Sequence, residues 1–153
     1  MTKAAMRYFT IAKKASCSSG FDDYKIGAVV VYKGKVISIG RNMVKTHPLQ
    51  RKYDGYRLDP KYIPVSTHAE TNALSKIIER DDIVWSKCSI YIYREVRNGQ
   101  VAMARPCNSC MQLMKDLGII NVYYTTDMGY AHEVITPETQ GKVCCQRNKK
   151  ATP

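Results

Sequence analysis

Two short segments limit most strongly how this chain can fold: His68-Ala69-Glu70 and Pro106-Cys107-Asn108-Ser109-Cys110. Each opens an apolar stripe at helical spacing. Ala69, Ala73, Leu74, Ile77 and Ile78 form one, expected as a helix over about 67–80. Cys110, Leu113, Met114 and Leu117 form the other, opened by Pro106 at the first helical position and closed by Gly118. An imidazole and two thiols at separate helix starts act together only if the fold sets those starts side by side.

Cys107 and Cys110 are three apart and share one helix face. The partial positive charge of a helix N-terminus favours the thiolate, the form that binds metal. Two thiolates and one imidazole suit Zn²⁺, and three protein ligands leave a tetrahedral position open. Such a metal brings the pKa of a water toward about 7, and Glu70 is placed to carry the proton. Each piece alone has a plainer reading. Thr67-x-x-Glu70 matches a helix capping box. A lone C-x-x-C is a zinc half-site, a redox pair or chance. The conjunction of H-A-E with P-C-x-x-C, each opening a helix, favours the metal.

The rest of the chain supplies a frame. Residues 4–16 read as a first helix through Ala5, Tyr8, Phe9, Ala12 and Ala15. IGAVVVY and KVISIG, flanking Lys33-Gly34-Lys35, read as a hairpin over 24–40. CSIYIYREV (88–96) and IINVYYTT (119–126) are expected strands, Asn98-Gly99 a turn, and HEVIT (132–136) a last strand. The expected order α-β-β-α-β-α-β-β gives an α/β fold, a three-layer α/β/α sandwich around a five-stranded mixed sheet ending in a C-terminal hairpin. The catalytic domain is expected over 1–138 and a basic, flexible tail over 139–153.

A chain of 153 residues holds one core-forming domain. No apolar run approaches the roughly 20 residues of a membrane helix, and residues 1–10 carry no apolar signal segment, so the expected location is cytoplasmic, without a membrane. The six cysteines form no evenly spread framework; Cys144-Cys145 reads as two thiols in a loose tail. No spacing supports a second zinc on His47 and Cys17.

The net charge of +11 favours an anionic partner. Residues 41–66 concentrate it: six Lys or Arg, three tyrosines and three prolines, without sustained period. This reads as a long loop, with room for a short helix, that leads into His68. Arg41, Lys45, Arg51, Lys52, Arg57 and Lys61 are candidates to neutralise phosphate, and Tyr53, Tyr56 and Tyr62 to stack on bases. The alternatives are a solvated loop whose tyrosines pack on the domain, a mononucleotide clamp and a polynucleotide surface.

The H-x-E and P-C-x-x-C segments resemble those of the cytidine/deoxycytidylate deaminase superfamily of zinc-dependent hydrolases. The similarity spans roughly 4–136, with HAETNAL and PCNSCMQLMKDLGIINVYY matching its two core helices. The resemblance implies Zn²⁺ on His68, Cys107 and Cys110, and water attacking C4 of a cytosine-type ring or C6 of adenine. It gives Glu70 the proton transfers to the ring nitrogen and the departing ammonia. Asn42, in Gly40-Arg41-Asn42, is similar to the family's sugar-contacting asparagine, and the Ala69 N–H would hold the base carbonyl. The implied reaction is deamination of a dCMP/CMP-type nucleotide or nucleoside, with a homo-oligomeric assembly. Editing of cytosine or adenine in single-stranded RNA or DNA, and a non-catalytic zinc module, are the alternatives.

Two departures bear on the substrate. Arg105 stands where the family more often has Glu, Ser or Thr; it reads either as a cation near a substrate phosphate or subunit contact, or as a surface salt bridge. Only Asp127-Met128-Gly129-Tyr130 separates the last two strands, where the deoxycytidylate branch usually has a helix. That spacing is closer to the free-cytidine branch and to some nucleic-acid-editing deaminases.

Overall fold

The computed structural model describes residues 1–57 and 66–142. Lys61, Tyr62, Cys144, Cys145 and the rest of the expected tail from 143 lie outside the described residues.

Period-two burial builds the sheet. In β1 (Tyr24–Tyr32), Ala28 and Val30 face one layer, Val29 and Val31 the other. β3 (Cys88–Val96) repeats this with Ile90 and Ile92 against Tyr91 and Tyr93. With β2 (Lys35–Arg41), β4 (Asn121–Thr126) and β5 (Gly129–Val134), they form one five-stranded sheet in the order β2-β1-β3-β4-β5. Only β3 and β4 run parallel, so the sheet is mixed. A parallel pair needs a crossover, and α4 (Asn108–Leu117) lies in that connection.

Helix α1 (Lys3–Ser16) buries Ala5, Phe9 and Ala12 against Val29, Val31, Tyr91 and Tyr93. The opposite face is covered by α3 (Ala69–Ser75) through Ala69, Ala73 and Leu74, and by α4 through Cys110, Met111, Leu113 and Met114. Full burial of each larger apolar side chain contributes about 1.5–3 kcal/mol. The expected three-layer sandwich is therefore present, its larger core on the face that carries the two motifs.

The local differences have physical causes. The helix expected over 67–80 is α-helical only over Ala69–Ser75; Ile77 N–H then bonds Leu74 O and Arg80 N–H bonds Ile77 O, the tighter three-residue pattern of a helix end. Pro106 lies outside α4, because Cys107 takes the N-cap in an extended conformation. Thr67 does not cap α3; His68 is the N-cap, and the Thr67 hydroxyl donates to Lys45 O at 2.6 Å. The last strand is shifted toward the turn, Gly129–Val134 rather than 132–136, because Thr126 pairs with Gly129. The long basic loop contains α2 (Pro48–Asp54), whose N-cap His47 accepts from Leu49 N–H through Nδ1. No helix among the described residues is long and apolar enough to cross a membrane.

Three features fix the motif helices in place. Met43 and Thr67 exchange backbone hydrogen bonds, both 2.9 Å, closing the loop just before His68. Gly40 lets α3 lie directly on β2: a Cβ there would overlap Ala69 O and Ala73 N. Lys142 N–H donates to Pro106 O at 2.7 Å and Arg105 Nη2 to Gln140 O at 2.7 Å, so ordered contacts run past the expected boundary at 138. Arg105 also makes a two-pronged ion pair with Glu133 of β5, at 2.8 and 2.7 Å, the salt-bridge reading of that residue.

Gly40→Ala is expected to destabilise by about 1–3 kcal/mol in urea unfolding, as overpacking does. Gly55→Ala, at a right-handed helical position with open space around it, is the neutral or slightly stabilising control; equal effects would refute the close approach. Arg105 holds the Glu133 carboxyl below its ordinary value of 4.5. That contribution is present above pH 4.5 and is lost as pH falls through the lowered folded value. Arg105→Gln should therefore lower unfolding stability at pH 7, with the deficit closing on acidification below 4.5.

Candidate active site

The fold brings His68, Cys107 and Cys110 together across 39 residues of sequence. His68 Nδ1 lies 3.5 Å from Cys107 Sγ and 3.4 Å from Cys110 Sγ. Around a tetrahedral zinc with Zn–N near 2.0 Å and Zn–S near 2.3 Å, ligand atoms stand about 3.5–3.8 Å apart, so these separations fit the ion. Among the described residues this is the only such group of three or more His, Cys, Asp or Glu ligands. The described cysteines are all free thiols, which sets the C-x-x-C pair apart from a disulfide.

The electrostatics also call for a cation. The hydrogen bond with Cys107 lowers the Cys110 pKa, but burial and the Glu70 charge push it up, and the net shift is upward. A helix start alone therefore does not make this thiolate. Burial, aided by the Arg57 charge, lowers the His68 pKa to about 3, keeping the imidazole neutral and able to ligate. Thr71 Oγ1 lies 3.7 Å from Cys110 Sγ and supplies the sulfur with a hydroxyl partner.

Glu70 is 5% exposed in the first turn of α3 and near enough to act on the Cys110 thiol. Ala69 is the first residue of α3, where a backbone N–H has no intrahelical acceptor. Asn42, the expected sugar contact, is also held by the fold. Its Oδ1 accepts from Ile26 N–H and from the Ser19 hydroxyl, and its Nδ2 donates to Tyr24 O. It ties the ends of β1 and β2 to the segment after α1.

The basic loop divides on inspection. Arg57 faces inward: its Nε pairs with Asp54 Oδ1 at 2.9 Å, both side chains are 5% exposed, and its Nη2 touches His68 Nε2. A guanidinium only donates, so this contact needs Nε2 as its acceptor. A metal on Nδ1 requires the Nε2–H tautomer, which displaces Arg57 from Nε2. Tyr53 is buried and donates to Asp116 at 2.8 Å, while Tyr56 is half exposed. Tyr53 thus follows the reading in which the loop's tyrosines pack on the domain, while Arg57 is an inward ion pair rather than a free cation.

Sequence reasoning missed Gln50, which is fully buried. Its Oε1 accepts from His68 N–H at 2.9 Å; its Nε2 donates to Asp54 Oδ1 at 2.9 Å and Ser109 Oγ at 3.3 Å. One amide thus joins α2 to both ligand-bearing helix starts. The signals were faint: Gln50 and Asp54 at helical spacing, and Ser109 between the two cysteines.

Zinc uptake by the metal-free protein should release protons, since the Cys110 thiol is held protonated without a cation; buffers of differing ionisation enthalpy measure this in calorimetry. Gln50→Ala should weaken zinc about 10–100-fold, the usual effect of removing such support, read by competition with a chromogenic chelator. Unchanged affinity would deny Gln50 that role.

Comparison with known proteins agrees with this geometry. The profile of the family described as "Cytidine and deoxycytidylate deaminase zinc-binding region" matches residues 2–126. Cytidine deaminase from Burkholderia pseudomallei is similar in fold, with TM-score 0.58 and 21% identity over 88% of this chain and 93% of that one. The dCMP deaminase of cyanophage S-TIM5 gives TM-score 0.57 and 21% identity over 82% of this chain and 86% of that one in its apo form. The same phage protein has been solved with dCMP and dUMP. No curated protein sequence matches. The extent of the family match, together with the gathered imidazole and thiols, shows that the chain belongs to the cytidine and deoxycytidylate deaminase family of zinc-dependent hydrolases.

Proposed function

We propose that this zinc deaminase acts on a cytosine nucleotide or nucleoside of the dCMP/CMP type, converting it to the uracil form with release of ammonia. The observation that carries this is the buried His68-Cys107-Cys110 cluster with Glu70 beside it. Zinc bound there supplies Lewis acidity and brings the pKa of a water toward about 7.

The chain's own groups do the rest. As the water oxygen bonds to C4 of the ring, Glu70 takes one of its protons and passes it to the ring nitrogen; Glu70 then moves the remaining hydroxyl proton to the exocyclic amine, and the C4–N bond breaks to leave a carbonyl and ammonia. One water is consumed and one ammonia leaves, so the atoms balance. The Ala69 N–H is offered to the base carbonyl. With Asn42 Oδ1 occupied, the remaining hydrogen of Nδ2 is its group for a sugar oxygen. The dCMP complex of the phage protein supports a nucleotide in this fold, and the two-residue β4–β5 hairpin equally suits a free nucleoside. We further infer a homo-oligomer. The net charge of +11 favours the single-stranded nucleic acid reading as the alternative.

Ammonia release from CMP, dCMP, cytidine and deoxycytidine by the zinc-loaded protein tests the proposal; no release from any of them would sink it. Glu70→Gln should lower kcat by at least about 10²–10⁴-fold, the usual worth of a general acid–base group, with zinc content unchanged. Deamination of single-stranded oligonucleotides, with none of the monomers turned over, would select the alternative.

A further inference from the structure

One side of the sheet is only half covered. Among the described residues, α1 is the only helix on the side away from the metal cluster, and its buried residues pack on β1 and β3. Over β4 and β5 the sheet carries aromatic rings instead. Tyr91, Tyr123 and His132 sit opposite one another on β3, β4 and β5. They stack as a row, with centroids 4.5 and 4.2 Å apart and interplanar angles of 5° and 11°. His132 Nε2 donates to Asn121 Oδ1 at 2.8 Å, which fixes the orientation of the imidazole. β5 is an edge strand, so the row ends on an exposed His132 whose outer face meets no other ring among the described residues. Two residues earlier, Tyr130 leans on Phe9, with centroids 4.5 Å apart, and is 42% exposed.

The helix beside these rings is basic. α1 carries Lys3, Arg7, Lys13 and Lys14 and no carboxylate. All four are exposed, and none is ion-paired among the described residues. Helical spacing puts Lys13 on the flank of Phe9, with its Nζ 5.8 Å over the Tyr93 ring, and Lys3, Arg7 and Lys14 in the next row outward. Two copies of this face set against each other would bring cation to cation, which opposes self-association. An anionic partner would relieve the repulsion along α1.

We propose that this face binds single-stranded nucleic acid, with bases on Tyr130 and the outer face of His132 and phosphates along the α1 cations. Spacing decides between one strand and two. Side chains two residues apart on a β-strand stand about 6.6–6.8 Å apart, twice the roughly 3.4 Å between stacked bases. A base on each ring therefore needs its neighbour splayed away, which a duplex forbids and a single strand allows. The sheet lies between this face and the core that holds Cys107 and Cys110, so a strand held here stays away from the metal cluster. The bound strand is held and not deaminated, and the face serves the protein whichever cytosine substrate is turned over.

Fluorescence anisotropy on the zinc-loaded full chain tests this, with labelled oligouridylate and oligothymidylate of about 12 nucleotides as probes. Both should bind at low salt, with a log–log salt slope of about −2 to −3, as for three or four phosphates of a single strand. His132→Ala and Tyr130→Leu should each weaken binding roughly fivefold or more, as loss of a stacking ring does. His132→Phe and Tyr130→Phe should retain it, and Arg7→Gln should make the slope shallower by about 0.7. Ammonia release from cytosine monomers should be unchanged in the ring variants. Binding is read without deamination, so failure of the substrate reading and failure of this proposal are told apart. Thermal unfolding checks each variant's fold, and the exposed His132 carries the test if Tyr130→Leu fails to fold. No binding, binding indifferent to salt, equal affinity for a duplex, or unchanged affinity in His132→Ala would overturn the proposal. So would equal weakening by Arg51→Gln, in α2 on the metal side, the mark of a track toward the metal cluster. A dimer broken by the same ring variants, with no nucleic acid bound, would assign the face to a second copy instead.

Discussion

Two thiols and an imidazole must meet in a buried place, and the rest of the structure follows from that meeting. Buried thiolates are costly unless a cation offsets their charge. The upward shift of Cys110 shows the direction of that demand when only protein groups are present. The surrounding architecture holds ligands from separate segments in register. The Met43–Thr67 pairing fixes the approach to His68, the bare Gly40 backbone lets α3 settle on β2, and Gln50 links His68 to the cysteine helix. Position is supplied by hydrogen bonds and close packing, and the metal's share is charge.

Much of this was legible in the sequence. The apolar run IGAVVVY beside the Gly34 turn marked β1, CSIYIYREV marked β3, and the conjunction of H-x-E with P-C-x-x-C carried the cluster itself. The illegible parts depend on partners remote in sequence. Gln50 looks like any polar loop residue until the fold sets His68 N–H and Ser109 within its reach. Arg57 looked like a surface cation because composition cannot tell which member of a basic loop turns inward; its buried pairing with Asp54 decides that. Thr67-x-x-Glu70 matched a capping pattern, but the Thr67 hydroxyl donates to Lys45 O and His68 takes the N-cap position.

The excess positive charge is not one undivided surface. Arg105 is spent on Glu133 and Arg57 on Asp54, each fixing a segment that borders the metal cluster. Arg41 and Lys76 remain as a facing pair at the sheet edge. There Asn72 and Lys76 occupy backbone groups that another strand would need, which discourages pairing along β2. Asn72 and Lys76 thus cover part of an exposed sheet edge.

The contacts of residues 140–142 with the cysteine loop reach beyond local packing. Gly141 passes so close to the Cys107 and Asn108 backbone that no side chain could be fitted there. Lys142 and Gln140 bond the residues just before the first thiol. For anyone building with this protein, the two ends are therefore unequal. A label at the start of α1 is attached to a helix on the far layer, whereas a cut before Gln140 removes part of the wall behind a metal ligand.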